Sequence, residues 1–119
     1  MTRYVDGFVL PIAKKNVAAY RRLARKASKI WREYGALEYR ECVGDDLKVK
    51  GVVPFPRLAR CRPGETVVFA WIVYRSRADR DRITAKIMKD PRLAAMGSKS
   101  MPFDVKRMAY GGFAVLVDA

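Results

Sequence analysis

Glu65-Thr-Val-Val-Phe-Ala-Trp-Ile-Val-Tyr74, followed at once by Arg75-Ser-Arg-Ala-Asp79, decides how the rest of the chain is read. Apolar residues fill the odd positions (Val67, Phe69, Trp71, Val73) and the even ones (Val68, Ala70, Ile72, Tyr74), so a strand here has no face for water. Both sides need cover. In 119 residues the few helices can cover one face of a sheet, which leaves the other to a second subunit or a bound ligand.

Upstream, Tyr4 to Leu10 is a short apolar run closed by Pro11, which suits a first strand. From Asn16 to Tyr34 the residues Val17, Tyr20, Leu23, Ala24, Ala27, Ile30, Trp31 and Tyr34 recur at helical spacing, with Gly35 as a left-handed terminator. Ala36 to Val43 alternates Leu37, Tyr39 and Glu41 against Glu38, Arg40 and Cys42, a second strand with mixed faces. Gly44 to Gly64 is a long connection with Pro54-Phe-Pro56 and a helical turn around Arg57 to Arg60. After the third strand, Ser76 caps a second helix that runs to about Lys89 and stops at Asp90-Pro91, with a further turn over Leu93 to Met96. Met101 to Asp104 reads as a loop. Arg107 to Val117 is a last strand, with a bulge or a close backbone approach expected at Gly111-Gly112.

Strand, helix, strand, strand, helix, strand is the order of the ferredoxin-like α+β fold: a four-stranded antiparallel sheet with helices on one face, here a single domain over residues 1–119. The uncovered face, which also carries Phe113-Ala-Val-Leu-Val117, calls for a homodimer packed sheet against sheet.

Composition narrows the functional classes. The chain is half hydrophobic, 31% charged, and has a formal net charge of +13. Residues 1–35 carry nine Lys or Arg against Asp6 and Glu33, so the excess concentrates on the first helix. Histidine is absent, which removes His-based triads, the commonest metal ligand and proximal-His haem ligation. Cys42 and Cys61 lie far apart without C-x-x-C spacing and read as reduced thiols of a cytoplasmic protein. Asp6 interrupts the apolar N-terminal run, so no signal peptide is expected, and no stretch reaches bilayer-spanning length.

Tyr4-Val-Asp-Gly-Phe-Val-Leu-Pro11, Trp31-Arg-Glu, Gly35-Ala-Leu-Glu-Tyr39, Phe55-Pro-Arg57, the run from Glu65 to Tyr74, Met88-Lys-Asp-Pro-Arg92, Met101-Pro-Phe-Asp104 and Gly111-Gly-Phe113 resemble the bacterial domain-of-unknown-function family 1428, the YbaA-like proteins. The resemblance runs nearly end to end. It implies the dimeric α+β barrel fold, whose members include cofactor-free monooxygenases, haem-degrading enzymes and stress-responsive barrels with ligands between sheet and helices. It supplies no catalytic residues, and fold alone transfers none of those functions.

Asp6, within an apolar strand beside Tyr4 and Phe8, could act as a cleft acid or base, although an edge-strand carboxylate paired with an arginine is the commoner case. Tyr39, Glu41, Trp71 and Tyr110 are candidates to line the same cavity, and Arg107 to hold an anion at its mouth, against the plainer readings of core aromatics and a solvated cation. Arg21, Arg22, Arg25 and Lys29 would carry any nucleic-acid contact, through phosphates only. No stacking motif accompanies them, so a solvated helix face is the simpler account. The sequence therefore points to a cytoplasmic homodimer with a small apolar or aromatic ligand between sheet and helices, in the manner of a cofactor-free monooxygenase. No cofactor, metal or membrane is expected. The alternatives are an electrostatic nucleic-acid binder and a non-catalytic stress or regulatory dimer.

Overall fold

The computed structural model describes residues 2–96 and 101–119. Strand β1 (Tyr4–Ala13) runs through a 3-10 turn into helix α1 (Val17–Tyr34), and β2 (Glu38–Val43) follows. A short helix α2 (Phe55–Leu58) interrupts the connection to β3 (Glu65–Tyr74). Helices α3 (Arg77–Ile87) and α4 (Pro91–Met96), then β4 (Ala109–Ala114), complete the order. The four strands form one antiparallel sheet in the order β2-β3-β1-β4, the ferredoxin-like topology the element order predicts.

The register decides which side chains meet. Asp6 pairs with Ile72 and Gly112, Phe8 with Ala70 and Tyr110, and Tyr39 with Ile72, so these residues share one face. Both long helices pack on that face. Tyr20 and Ala24 of α1 join Leu10, Ile12, Val68 and Ala70 in one buried cluster, while Ile30 of α1 and Ile83 and Ile87 of α3 join Ile72 and Tyr74 in another. Phe8 packs against both. Gly35 closes α1 at φ +116°, a conformation that favours glycine, and the Ser76 hydroxyl accepts from the Asp79 amide to open α3.

The first and last strands differ from the sequence expectation. β1 does not stop at Pro11. Lys14 N–H bonds Gly64 O in the same register as the β1–β3 ladder, so even residues of β1 point their amides at β3 and odd ones, Pro11 included, point away. On that side β4 pairs only as far as Val9, and a missing donor leaves nothing unsatisfied. The last strand ends at Ala114 rather than Val117, because Ala114 faces Tyr4, where β1 begins; one further bond joins Val115 N–H to Arg3 O. Leu116 and Val117 lie exposed. No bulge forms at Gly111-Gly112, where pairing is one to one. A side chain, not a backbone, comes close there: a Cβ on Gly112 would collide with the Tyr4 hydroxyl and ring.

The other sheet face is only partly covered. Phe55 of α2 packs on Phe69, with ring centroids 5.9 Å apart, yet Phe69 and Phe113 remain exposed at 44% and 62%.

Candidate functional site

Between α1 and the helix-covered sheet face lies a cavity of about 250 Å³. Phe8, Leu10, Ala70 and Ile72 form its floor, and Leu23, Ala24, Ala27 and Trp31 its roof. Tyr20 and Trp31 hold α1 away from the strands, while Ala24 and Ala27 between them contribute little volume, and the space stays open. Phe103 and Met108, from the segment before and after the 3-10 turn Val105–Arg107, close one end, with the Phe103 ring edge-on to Tyr20 at 5.4 Å.

One carboxylate enters this apolar space. Glu41 and Tyr39, two apart on β2, project to the same face. The Tyr20 hydroxyl donates to Glu41 Oε1 at 2.7 Å and the Tyr39 hydroxyl to Oε2 at 2.9 Å. Burial pushes the Glu41 carboxyl above its ordinary value, and the two phenol bonds hold it back. The same burial, with the carboxylate alongside, raises both phenols far above theirs.

A second polar cluster sits at the α3 side. Asp6 is buried on β1, which is an interior strand of the sheet and not the edge strand of the plainer expectation. Arg80, one turn into α3, donates from Nη1 to Asp6 Oδ1 at 3.1 Å and to the Tyr110 hydroxyl at 2.8 Å, and from Nη2 to the Tyr4 hydroxyl at 3.4 Å. Its guanidinium lies 4.9 Å from the Tyr4 ring centroid. Burial raises the Asp6 carboxyl, opposed first by Arg80 and then by bonds from Tyr110 and Tyr74. The Trp31 indole N–H donates to the Tyr74 hydroxyl at 3.1 Å. Asp6 and Tyr110 line a second, more open cavity of about 480 Å³ that shares Phe8, Trp31, Ile72 and Met108 with the first.

The six candidate residues thus separate. Tyr39 and Glu41 come together in the first chamber, and Asp6 and Tyr110 in the neighbouring one. Trp71 belongs to neither: it pairs with Gly7 and Arg40, lies on the opposite sheet face, and donates to Glu38 at 3.3 Å. Arg107 lines neither of these cavities but a separate open pocket that also holds Glu65. It forms a two-pronged bond to Glu65 at 2.7 and 2.8 Å and a third to Arg60 O, tying the start of β3 to the segment before β4, and it holds the Glu65 carboxyl down at about 2. Arg21, Arg22, Arg25 and Lys29 are exposed on α1.

Nothing in the sequence marks Tyr20, Trp31 or Arg80 for these roles. The first two belong to the apolar stripe of α1, and the third is one of several arginines on α3. Among the described residues no three Cys, Asp or Glu side chains converge as a metal site would need, and no helix is long and apolar enough to cross a membrane.

The family model described as "Protein of unknown function (DUF1428)" matches residues 3–105. The Escherichia coli K12 protein YbaA is 43% identical over 116 residues, covering 98% of each chain. Among solved structures, a dimeric ferredoxin-like protein from an uncultured marine organism superposes with a TM-score of 0.58 at 12% identity over all of both chains. SnoaB, a cofactor-independent oxygenase from Streptomyces nogalater, superposes with a TM-score of 0.57 at 14% identity over 99% of this chain and 97% of its own. At such identities the likeness is one of fold.

Proposed function

The chain belongs to the DUF1428 family, and within that family we propose that it acts as a homodimer that binds a small apolar or aromatic molecule between α1 and the sheet. The observation that carries this reading is Glu41, a half-buried carboxylate bridged by two phenols at a largely apolar chamber of about 250 Å³. Neutral donors are exchangeable. A ligand hydroxyl can replace the Tyr20 or Tyr39 bond to Glu41 with little net change in hydrogen bonding, while the ligand body gains apolar burial.

The finer reading is a cofactor-free oxygenase. Glu41, with its proton affinity raised by burial, is placed to accept a proton from an acidic O–H or C–H of the ligand. The resulting delocalised anion is the form in which an organic molecule reacts with dioxygen by itself. The shared fold with a cofactor-independent oxygenase supports this reading only in part. The dimer is supported by the exposed apolar face that carries Phe69 and Phe113 and by the fold shared with a dimeric ferredoxin-like protein.

The nucleic-acid reading rests on the exposed cations of α1. Its aromatic residues point the other way: Tyr20 and Trp31 line the cavity, and Tyr34 bonds Asp90 at 2.7 Å, which leaves nothing on that face for bases to stack on.

Calorimetric titration with 2-naphthol tests the site. Wild-type protein binds it, Ala27→Phe, which fills the roof, does not, and Tyr39→Phe binds it with altered affinity. Unchanged binding by Ala27→Phe would remove the cavity from the account. An oxygen electrode separates the finer reading from simple binding: a bound phenol or ketone that draws no dioxygen leaves a carrier or sensor.

A further inference from the structure

Next to the inner cavity lies a second chamber of about 290 Å³, and the two share Tyr20, Ala24, Tyr39 and Glu41. Arg21, Arg25 and Ser28 line this outer chamber, spaced so that they share one side of α1. Both arginines are exposed, and among the described residues no carboxylate lies within ion-pair distance of either. Arg80, Arg92 and Arg107, by contrast, are each held by acids.

An exposed arginine is unremarkable in a chain of +13. These two differ from the others on α1 in lining a chamber that shares four residues with the apolar cavity. Glu41 lines both chambers, but Arg21 and Arg25 stand beside it only in the outer one, so an anion is better placed there than deep in the inner cavity, where burial adds to the like charge. The rim does suit one: two unpaired guanidinium forks can grip a planar or tetrahedral oxyanion while solvent still reaches it.

We infer that the ligand of this site is an amphipathic anion, an aromatic or aliphatic body in the inner cavity with a carboxylate or phosphate head held at the rim by Arg21 and Arg25. The inference rests on the cavity being a ligand site and adds the class of ligand.

Three probes with one body separate the possibilities: 2-naphthoate, 2-naphthyl phosphate and uncharged 2-naphthalenemethanol, each titrated calorimetrically at low salt and pH 7.5. The better anion is expected to bind about ten-fold more tightly than the alcohol, an advantage that shrinks as salt rises. Which anion wins assigns the head group. In Arg21→Ala/Arg25→Ala the anion's advantage disappears while the alcohol's affinity stays unchanged. Arg22→Ala/Lys26→Ala, of equal charge but outside the chamber, leaves both unchanged. Equal binding of anion and alcohol to the wild type overturns the inference and leaves the cavity reading standing, as does an equal loss in both double variants, which would mean diffuse charge. Failure of all three probes overturns both.

Discussion

Removing the two phenol hydroxyls that hold Glu41 gives the sharpest test of the site's electrostatics. Bonds from Tyr20 and Tyr39 are the two effects that hold the Glu41 carboxyl down against burial. Its value in the fold nevertheless lies above the ordinary 4.5, so the folded state binds this proton more tightly than the unfolded one, and the contribution to stability falls as pH rises through that window. Tyr20→Phe/Tyr39→Phe pushes the value higher still and widens the window upward. A hydrogen bond to a charged group contributes about 1.5–3 kcal/mol and a neutral one about 0.5–1.5 kcal/mol. The double variant should therefore lose about 3–6 kcal/mol where the carboxyl is ionised and about 1–3 kcal/mol where it is protonated, so the loss should be larger at pH 8 than at pH 4. The difference, about 2–3 kcal/mol, is the part of the loss that depends on the charge of Glu41. Urea unfolding followed by far-ultraviolet circular dichroism at both pH values measures it. In a Glu41→Gln background the pH dependence of the double variant should vanish. A loss that is the same at pH 4 and pH 8 in the Glu41 protein would show that no buried charge is being held there.

The Glu65–Arg107 bridge should behave oppositely. Glu65 is depressed to about 2, so its contribution is complete above about pH 4.5 and fades as pH falls toward 2; Glu65→Gln should cost about 1–3 kcal/mol at pH 7 and nearly nothing at pH 2, and a cost independent of pH in acid-unfolding curves would contradict the ion pair. Gly112→Ala forces its Cβ into the Tyr4 ring, with atoms 2.7 and 2.8 Å away, and should lower stability by about 1–3 kcal/mol. Gly7→Ala meets only the Phe113 ring at 3.3 Å and should cost less; equal melting temperatures for the two variants would refute the contact. Phe69→Glu/Phe113→Glu places charge on the uncovered sheet face. Sedimentation equilibrium should show a dimer for the wild type and a monomer for the variant, and a monomeric wild type would end the sheet-to-sheet assembly.

What could be read from sequence tracks the range of the interactions. The helical repeat from Val17 to Tyr34, Gly35 as its stop and Ser76 as a cap are local, and the structure shows each. Trp71 went to the wrong face for a physical reason. A strand apolar on both sides gives no sign of which parity faces the helices, and a shift of one residue in register exchanges the faces. The partner strand resolves it, since Asp6 pairs with Ile72 and Gly7 with Trp71. Arg107 was misplaced because its acid lies 42 residues away, and Arg80 gave no signal because Asp6 lies 74 residues away. Tyr39 and Glu41 were legible as a pair because two-residue spacing on a strand places them together whatever the register.

The two cavity-lining acids, buried Asp6 and half-buried Glu41, differ in a way that argues for Glu41 as the group a ligand meets. Asp6 faces a permanent cation, and removing either partner of such a buried pair typically costs about 3–5 kcal/mol because the other is left uncompensated. Arg80 is held in addition by Tyr110 and Tyr4 and stacks on the Tyr4 ring, so freeing Asp6 would dismantle contacts that join α3 to β1 and β4. Glu41 is satisfied by neutral hydroxyls, each replaceable by another neutral hydroxyl without creating a buried charge. The first arrangement resists exchange and the second permits it. Trp31 lines both chambers and bonds Tyr74, one of the groups that bear on Asp6. A ligand that displaced the indole would therefore be felt at the Asp6–Arg80 pair without touching it.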